Sequence, residues 1–131
     1  MTSRLIRGTA LLAALFTLAC GGDDPAGPVP GPLRVVLTTP NADDGAVMFQ
    51  LTGVVDSVVA PAGVTLYQAV TGSNVLRAIA IGNLPTGSNL MTIYVADVAK
   101  TSSYSVQLLQ VAAAGTYAQR PIGAYGLTVQ K

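Results

Sequence analysis

Histidine, tryptophan and glutamate are absent from this chain of 131 residues, and cysteine occurs once. Without histidine, neither a Ser-His-Asp nor a Cys-His arrangement can be assembled, and a histidine-containing zinc site is excluded. A lone cysteine has no intramolecular partner, so the fold must stand on its apolar core without a disulfide. Charge is equally scarce, at 10% of residues against 50% apolar. That balance excludes a disordered tail of the charge-rich kind and predicts a chain that folds.

What is present begins at the N-terminus. Arg4 and Arg7 precede a short apolar run from Gly8 to Leu18, and the small Ala19 stands before Cys20. Positive charge ahead of such a run is the physical signature of an export signal, because the arginines stay cytoplasmic while the apolar residues enter the bilayer. A stable membrane-spanning helix needs about 20 apolar residues, and this run is too short. The residues Phe16-Thr17-Leu18-Ala19-Cys20 resemble a bacterial lipobox, with Thr17 standing where leucine is most common. The resemblance implies cleavage between Ala19 and Cys20, acylation of the Cys20 thiol, and a lipid-anchored protein on the extracytoplasmic side of a bacterial cell envelope. An ordinary secretory signal with a chance cysteine, or a buried N-terminal helix, are the other readings of these residues.

Loss of residues 1–19 removes Arg4 and Arg7. The basic residues that remain are Arg34, Arg77, Lys100, Arg120 and Lys131, against Asp23, Asp24, Asp43, Asp44, Asp56 and Asp97, a formal charge of −1. So weak and scattered a balance offers no basic stripe for phosphates, and no nucleic-acid partner is expected. From Gly21 to Pro32 the sequence holds only Gly, Pro, Asp, Ala and Val, with prolines at 25, 28, 30 and 32. Proline at this density favours an extended spacer. The expected organisation is therefore a signal peptide helix over 1–19, Cys20 and a Pro/Gly-rich linker over 20–32, and one domain over 33–131.

From Leu33 the apolar period becomes two. Leu33, Val35 and Leu37 alternate with other residues, as do Val47, Phe49 and Leu51, and further strand-like stretches cover 64–70, 75–81, 90–96, 104–111 and 124–129. Turn chemistry separates them, in Pro40 to Gly45, Ala60 to Gly63, Thr71 to Asn74, Gly82 to Asn89 and Ala114-Gly115. No segment suits a crossover helix, so the fold class is all-β, a single antiparallel β-sandwich of about seven to nine strands. The adjacent Leu108 and Leu109 break the alternation and predict a β-bulge. Val95 to Lys100 is a candidate for a short helical turn.

Candidate functional residues are few. Asp43 and Asp44 read as turn-forming and end-capping carboxylates, with calcium ligation through loop oxygens as an alternative. Catalysis would require aspartates alone. Tyr67, Arg77 and Tyr94 are candidates for a binding surface, since the tyrosines run out of phase with Leu66, Ile93 and Val95 and so face outward if those form the core. The glycine runs 82–87 and 123–126 lack a phosphate-loop lysine and read as turns. The stretch from Asn41 to Leu51, with Gly82 to Val95, resembles cohesin-type sandwich modules, which implies a surface scaffold or protein-binding role. The expectation is a non-catalytic module without metal or cofactor. Its partners would be a membrane, through lipid on Cys20, and an envelope protein or, alternatively, a glycan.

Overall fold

The alternating segments are among nine strands in a computed structural model that describes residues 27–131. Ala19, Cys20 and the signal segment lie outside the described residues. The strands are β1 (Gly31–Thr38), β2 (Asp44–Thr52), β3 (Ser57–Val59), β4 (Thr65–Gly72), β5 (Val75–Ile81), β6 (Asn89–Val95), β7 (Ser105–Ala113), β8 (Gln119–Arg120) and β9 (Gly126–Gln130). They make two antiparallel sheets, one ordered β3-β6-β1-β9 and the other β4-β5-β2-β7-β8, packed as a sandwich. The seven strands expected from periodicity are all present. Strand β1 starts at Gly31, two residues before the alternation becomes legible. Pro32 is tolerated there because β9 joins β1 only from Arg34 onward, leaving one side of the strand free of a ladder.

The inward phase carries the core. Leu33, Val35 and Leu37 from β1 and Met91, Ile93 and Val95 from β6 meet Val47, Phe49 and Leu51 from β2, Ala78 and Ala80 from β5, and Val111 from β7, all fully or almost fully buried. Size complementarity holds the centre together. Phe49 stands between Ala78 on one side and Leu108 on the other, and the small neighbour on β5 leaves room for the ring.

Four register shifts interrupt the ladders, at Val35/Val36, Asp44/Ala46, Met48/Phe49 and Val70/Gly72, and two of them adjust the core pattern. Between Met48 and Phe49 the β2–β7 register skips Leu109, so the doubled leucine is the bulge that its sequence predicts. A second shift, where Val35 pairs with Met91 and Val36 with Asn89, leaves Leu90 as the extra residue of β6. Both Leu90 and Met91 are then buried. The helical turn expected over Val95 to Lys100 lies later in the chain, as a single 3-10 turn at Thr101–Ser103. Residues 97–100 instead form a hydrogen-bonded turn closed by Lys100 N–H on the Asp97 carbonyl.

The four edges of the sandwich differ. On one side β7 and β9 lie against each other and the sheets are closed together. On the other, β3 has only three residues while β4 has eight, and β4 pairs with β5 alone.

Candidate functional site

The aspartates divide between the two ends of the sandwich. Asp44 opens β2, fully buried, and accepts hydrogen bonds from the Thr39 hydroxyl and, at 2.9 Å, from the Tyr125 hydroxyl. Arg120 on β8 places its Nε 3.4 Å from Asp44 and donates to Asp43 at 2.7 Å. Asn41 Nδ2 donates to the Tyr125 oxygen at 2.8 Å. The loop before β2, strand β8 and the segment before β9 are thus tied through one carboxylate. Its oxygens are taken by protein donors, the arrangement expected of a structural clamp. The sequence marks Asp43 and Asp44 as turn-forming or end-capping carboxylates, with calcium ligation as the alternative, and gives no sign of the clamp, because Arg120 and Tyr125 are remote in the chain.

Asp56 and Asp97 lie at the other end. Eight residue steps of β2 separate the ends by roughly 26 Å at 3.3 Å per residue, well beyond the roughly 5–9.5 Å that suits a pair of hydrolytic carboxylates. Asp97 accepts from the backbone N–H groups of Ala99 at 3.0 Å and Val29 at 3.4 Å. The Ala99 bond chiefly, with help from Val29, Lys100 and Lys131 and against the opposing effect of lost solvation, holds this carboxyl below its ordinary pKa of 3.8. Tyr104, just before β7, donates its hydroxyl to the Val54 carbonyl at 2.6 Å. Burial first, then the charges of Asp56 and Asp97, raises its pKa above 10.0. Among the described residues no group of three or more His, Cys, Asp or Glu is placed to hold a metal ion.

Tyr67 and Arg77 share the outer face of the five-stranded sheet. Tyr67 pairs with Ile79, and Arg77 pairs with Ala69 and Gln50, so the two are diagonal neighbours on adjacent strands. Tyr67 is 62% exposed, and Arg77 donates weakly to Gln50 Oε1 at 3.4 Å. Tyr94 also faces outward, at 42% exposure, but it stands on β6 between Pro32 and Ser57. It belongs to the opposite sheet, so the three residues do not form one patch. Alternation fixes which side of its own sheet a residue faces. It does not fix which sheet the strand joins.

The rest of the five-stranded outer face is polar but almost uncharged. Arg77 is the one charged side chain on it among the described residues, with Gln50, Gln107, Gln110 and Gln119 spread across β2, β7 and β8. A shallow depression of about 230 Å³ is lined by Met48, Ile79, Gln110, Ala112, Tyr117 and Gln119. Tyr117 overhangs it from the β7–β8 turn, where it holds φ 57°.

The larger opening lies along the β3/β4 side, and periodicity gave no sign of it. A cleft of about 430 Å³ runs between the two sheets there, with Val54, Val55, Val58, Val70, Val75 and Leu76 among its walls and Gln68, Asn74 and Asp56 beside them. Val70 pairs with Leu76 on the inward phase of β4, yet it is 77% exposed, because the short β3 does not reach across to cover it. Strand β4 holds no charge and no proline, and its outer backbone edge has no ladder among the described residues. No family model, curated protein or solved structure matches the chain.

Proposed function

We propose that this chain is a lipid-anchored module of a bacterial cell envelope, and that its β-sandwich binds another polypeptide rather than performing chemistry. The observation that carries the binding half is the β4 edge, eight residues long, uncharged, free of proline and open beside a cleft walled by valine and leucine. Long edge strands are normally blunted by lysine, proline or a bulge, because unpaired N–H and C=O groups are a template for an incoming strand; β4 has no lysine or proline, and its one register shift lies at its end, between Val70 and Gly72. Recognition by strand addition takes affinity from main-chain hydrogen bonds and specificity from side-chain pockets beside the edge, and here the cleft supplies such a pocket. A photo-crosslinking residue introduced at Ala69 of the full chain tests this reading in cells. Protein adducts are expected from Ala69 and not from Thr92 on the opposite sheet, and the absence of adducts from Ala69 would overturn it.

The anchor half rests on Arg4, Arg7, the apolar run and Cys20. Val29 is latched to the 97–99 turn, its N–H on Asp97 and its carbonyl accepting from Val98 N–H at 2.9 Å. The nine residue steps from Cys20 to Val29 then span at most roughly 32 Å at about 3.6 Å per residue, a short tether. Mass spectrometry of the mature protein is expected to show a diacylated or triacylated Cys20, and Cys20→Ser to release the protein from the membrane fraction. An unmodified terminus would remove the anchor from the proposal.

One observation favours a second reading, a glycan-binding face: Gln110 and Gln119 beside Tyr117 on the outer sheet supply amide donors and acceptors next to an aromatic ring. A glycan array with the full chain, repeated with Gln110→Ala and Tyr117→Ala, tests it.

A further inference from the structure

The chain enters the fold at one corner of the sandwich, and cations gather at that corner. Strand β1 begins there, beside the ends of β6 and β9, and the latch of Val29 on the 97–99 turn fixes the point of entry. Around it stand Arg34, Lys100 and Lys131. Both lysines lie close enough to Asp97 to act on its carboxylate, and Arg34 donates to the Lys131 carbonyl at 2.9 Å. None of the three makes an ion pair among the described residues.

The two ends of the sandwich differ in sign. Among the described side chains, the half nearer this corner holds Arg34, Arg77, Lys100 and Lys131 against Asp56 and Asp97, four cations to two carboxylates, or +2. The far end holds Arg120 against Asp43 and Asp44, one to two, or −1. A surface of anionic headgroups attracts the first and repels the second. Asp23 and Asp24 follow Cys20 by three and four positions, so an acylated Cys20 keeps them at the headgroups whichever way the domain turns. Side chains suited to a bilayer interface stand among the cations. Val29 is 54% and Tyr94 42% exposed, and Tyr94 pairs with Pro32 on the outer face of the four-stranded sheet, the face that carries Arg34 two residues on. Tyrosine rings settle at headgroup level, and lysine and arginine lay their stems on apolar surface while their heads reach outward.

We infer that this corner, formed by Val29, Arg34, Tyr94, Lys100 and Lys131, docks on the membrane that holds the anchor, its partner a surface of anionic lipid headgroups. The inference rests on the anchor reading and goes beyond it, since lipid on Cys20 restricts the distance of the domain but not its orientation. Three cations are few for a protein that binds membranes from solution. A tether of at most roughly 32 Å, at about 3.6 Å per residue, holds the corner at a high effective concentration beside the surface, so contacts too weak to recruit a free domain suffice to orient a tethered one. Docking through the four-stranded sheet leaves the β4 edge, on the other sheet, open to a polypeptide.

The test uses the full chain, produced with its signal, extracted in detergent and reconstituted into vesicles of phosphatidylglycerol and phosphatidylcholine that carry a headgroup quencher. With Cys20 acylated, an introduced cysteine is the one free thiol for a fluorescent label. Ser102→Cys, exposed beside Lys100, reports the corner, and Asn83→Cys, exposed beyond β5, reports the far end. Strong quenching is expected at position 102 and little at position 83. Each cation near an anionic surface is worth about fivefold in the ratio of docked to undocked domain, so Lys100→Gln with Lys131→Gln is expected to lower that ratio about 25-fold. Salt at about 1 M, or vesicles of phosphatidylcholine alone, should remove the difference between the two positions without any substitution. Tm should be unchanged in the double variant, since both lysines are exposed. Equal quenching at the two positions, or a difference that survives both high salt and the double variant, would overturn the docking, and flotation of the protein with the vesicles would still leave the anchor standing. A chain that does not float with the vesicles would remove both.

Discussion

Replacing Asp44 with alanine separates a structural carboxylate from a metal ligand. The side chain is fully buried, accepts from Thr39 and Tyr125, and faces Arg120 Nε at 3.4 Å. A hydrogen bond to a charged acceptor contributes about 1.5–3 kcal/mol, and removing one partner of a buried ion pair costs about 3–5 kcal/mol. These terms overlap, because one acceptor serves both hydroxyls and the guanidinium. Arg120 also retains Asp43, and its side chain is 19% exposed, so the lower part of the range applies. The expected loss is about 3 kcal/mol, which lowers Tm by roughly 12–24 °C in a domain of this size. Asp43 is the control: its side chain is 65% exposed, and Asp43→Ala should cost less than about 1 kcal/mol. Urea unfolding with and without calcium reads both points, since a ligand that binds the native state raises the midpoint. A loss below about 1 kcal/mol for Asp44→Ala, equal losses for the two aspartates, or a midpoint that rises with calcium would refute the clamp.

Other predictions follow from the same geometry. Phe49→Ala should destabilise the domain by about 3–5 kcal/mol in chemical unfolding, since the ring is wholly buried and Ala78 is too small to fill the void. Gly53 holds φ 148°, and a Cβ there would overlap the Tyr104 ring. Gly53→Ala should therefore cost about 1–3 kcal/mol, and Tyr104→Ala in the same chain should relieve part of the penalty in a double-mutant cycle. The Val29–Asp97 latch depends on an ionised carboxylate whose pKa is depressed on folding. Its contribution is fully present above the ordinary value of 3.8 and is lost as pH falls through the lower folded value. Protection of the Val29 and Ala99 amides, taken as the exchange rate relative to the intrinsic rate at each pH, should hold at pH 5 and fall only below pH 3.8; a fall above that value would contradict the assigned hydrogen bonds.

Much of the fold was legible because burial acts on alternate residues. Leu33, Val35 and Leu37, or Val47, Phe49 and Leu51, have their phase written in the sequence, and the doubled Leu108-Leu109 announces its bulge. What stayed illegible depends on long-range pairing. β3 and β8, with three and two residues, are too short to show a period and exist only because β6 and β7 offer them an edge. Leu90-Met91 breaks alternation as visibly as Leu108-Leu109 does, yet it also fits a fully buried strand, and the register against β1 decides. The outward phase of Tyr67, Arg77 and Tyr94 could be read from each strand, but their division between two sheets could not. Asp44 offers the clearest contrast, because its burial is imposed by Arg120 and Tyr125, which arrive from 76 and 81 positions away.

The same contrast explains why one flank of the sandwich closes and the other remains open. On the β8/β9 flank, Arg120 and the segment carrying Tyr125 converge on Asp44, and Arg34 donates to the Lys131 carbonyl at 2.9 Å beside the end of β9. Polar bonds therefore join elements that periodicity alone would leave unconnected. On the β3/β4 flank no comparable clamp draws the sheets together among the described residues: the Tyr104 bond to Val54 steadies the loop into β3 but does not reach β4. The two ion pairs among the described residues, both made by Arg120, lie at the first flank. The second keeps a cleft in which valines and Leu76 alternate with Asp56, Ser57, Gln68 and Asn74, beside a β4 backbone edge with no ladder among the described residues, the kind of edge that serves as a template for an added strand. The flank without a clamp thus leads to the cleft, and the edge beside the cleft to an expectation of strand pairing at β4.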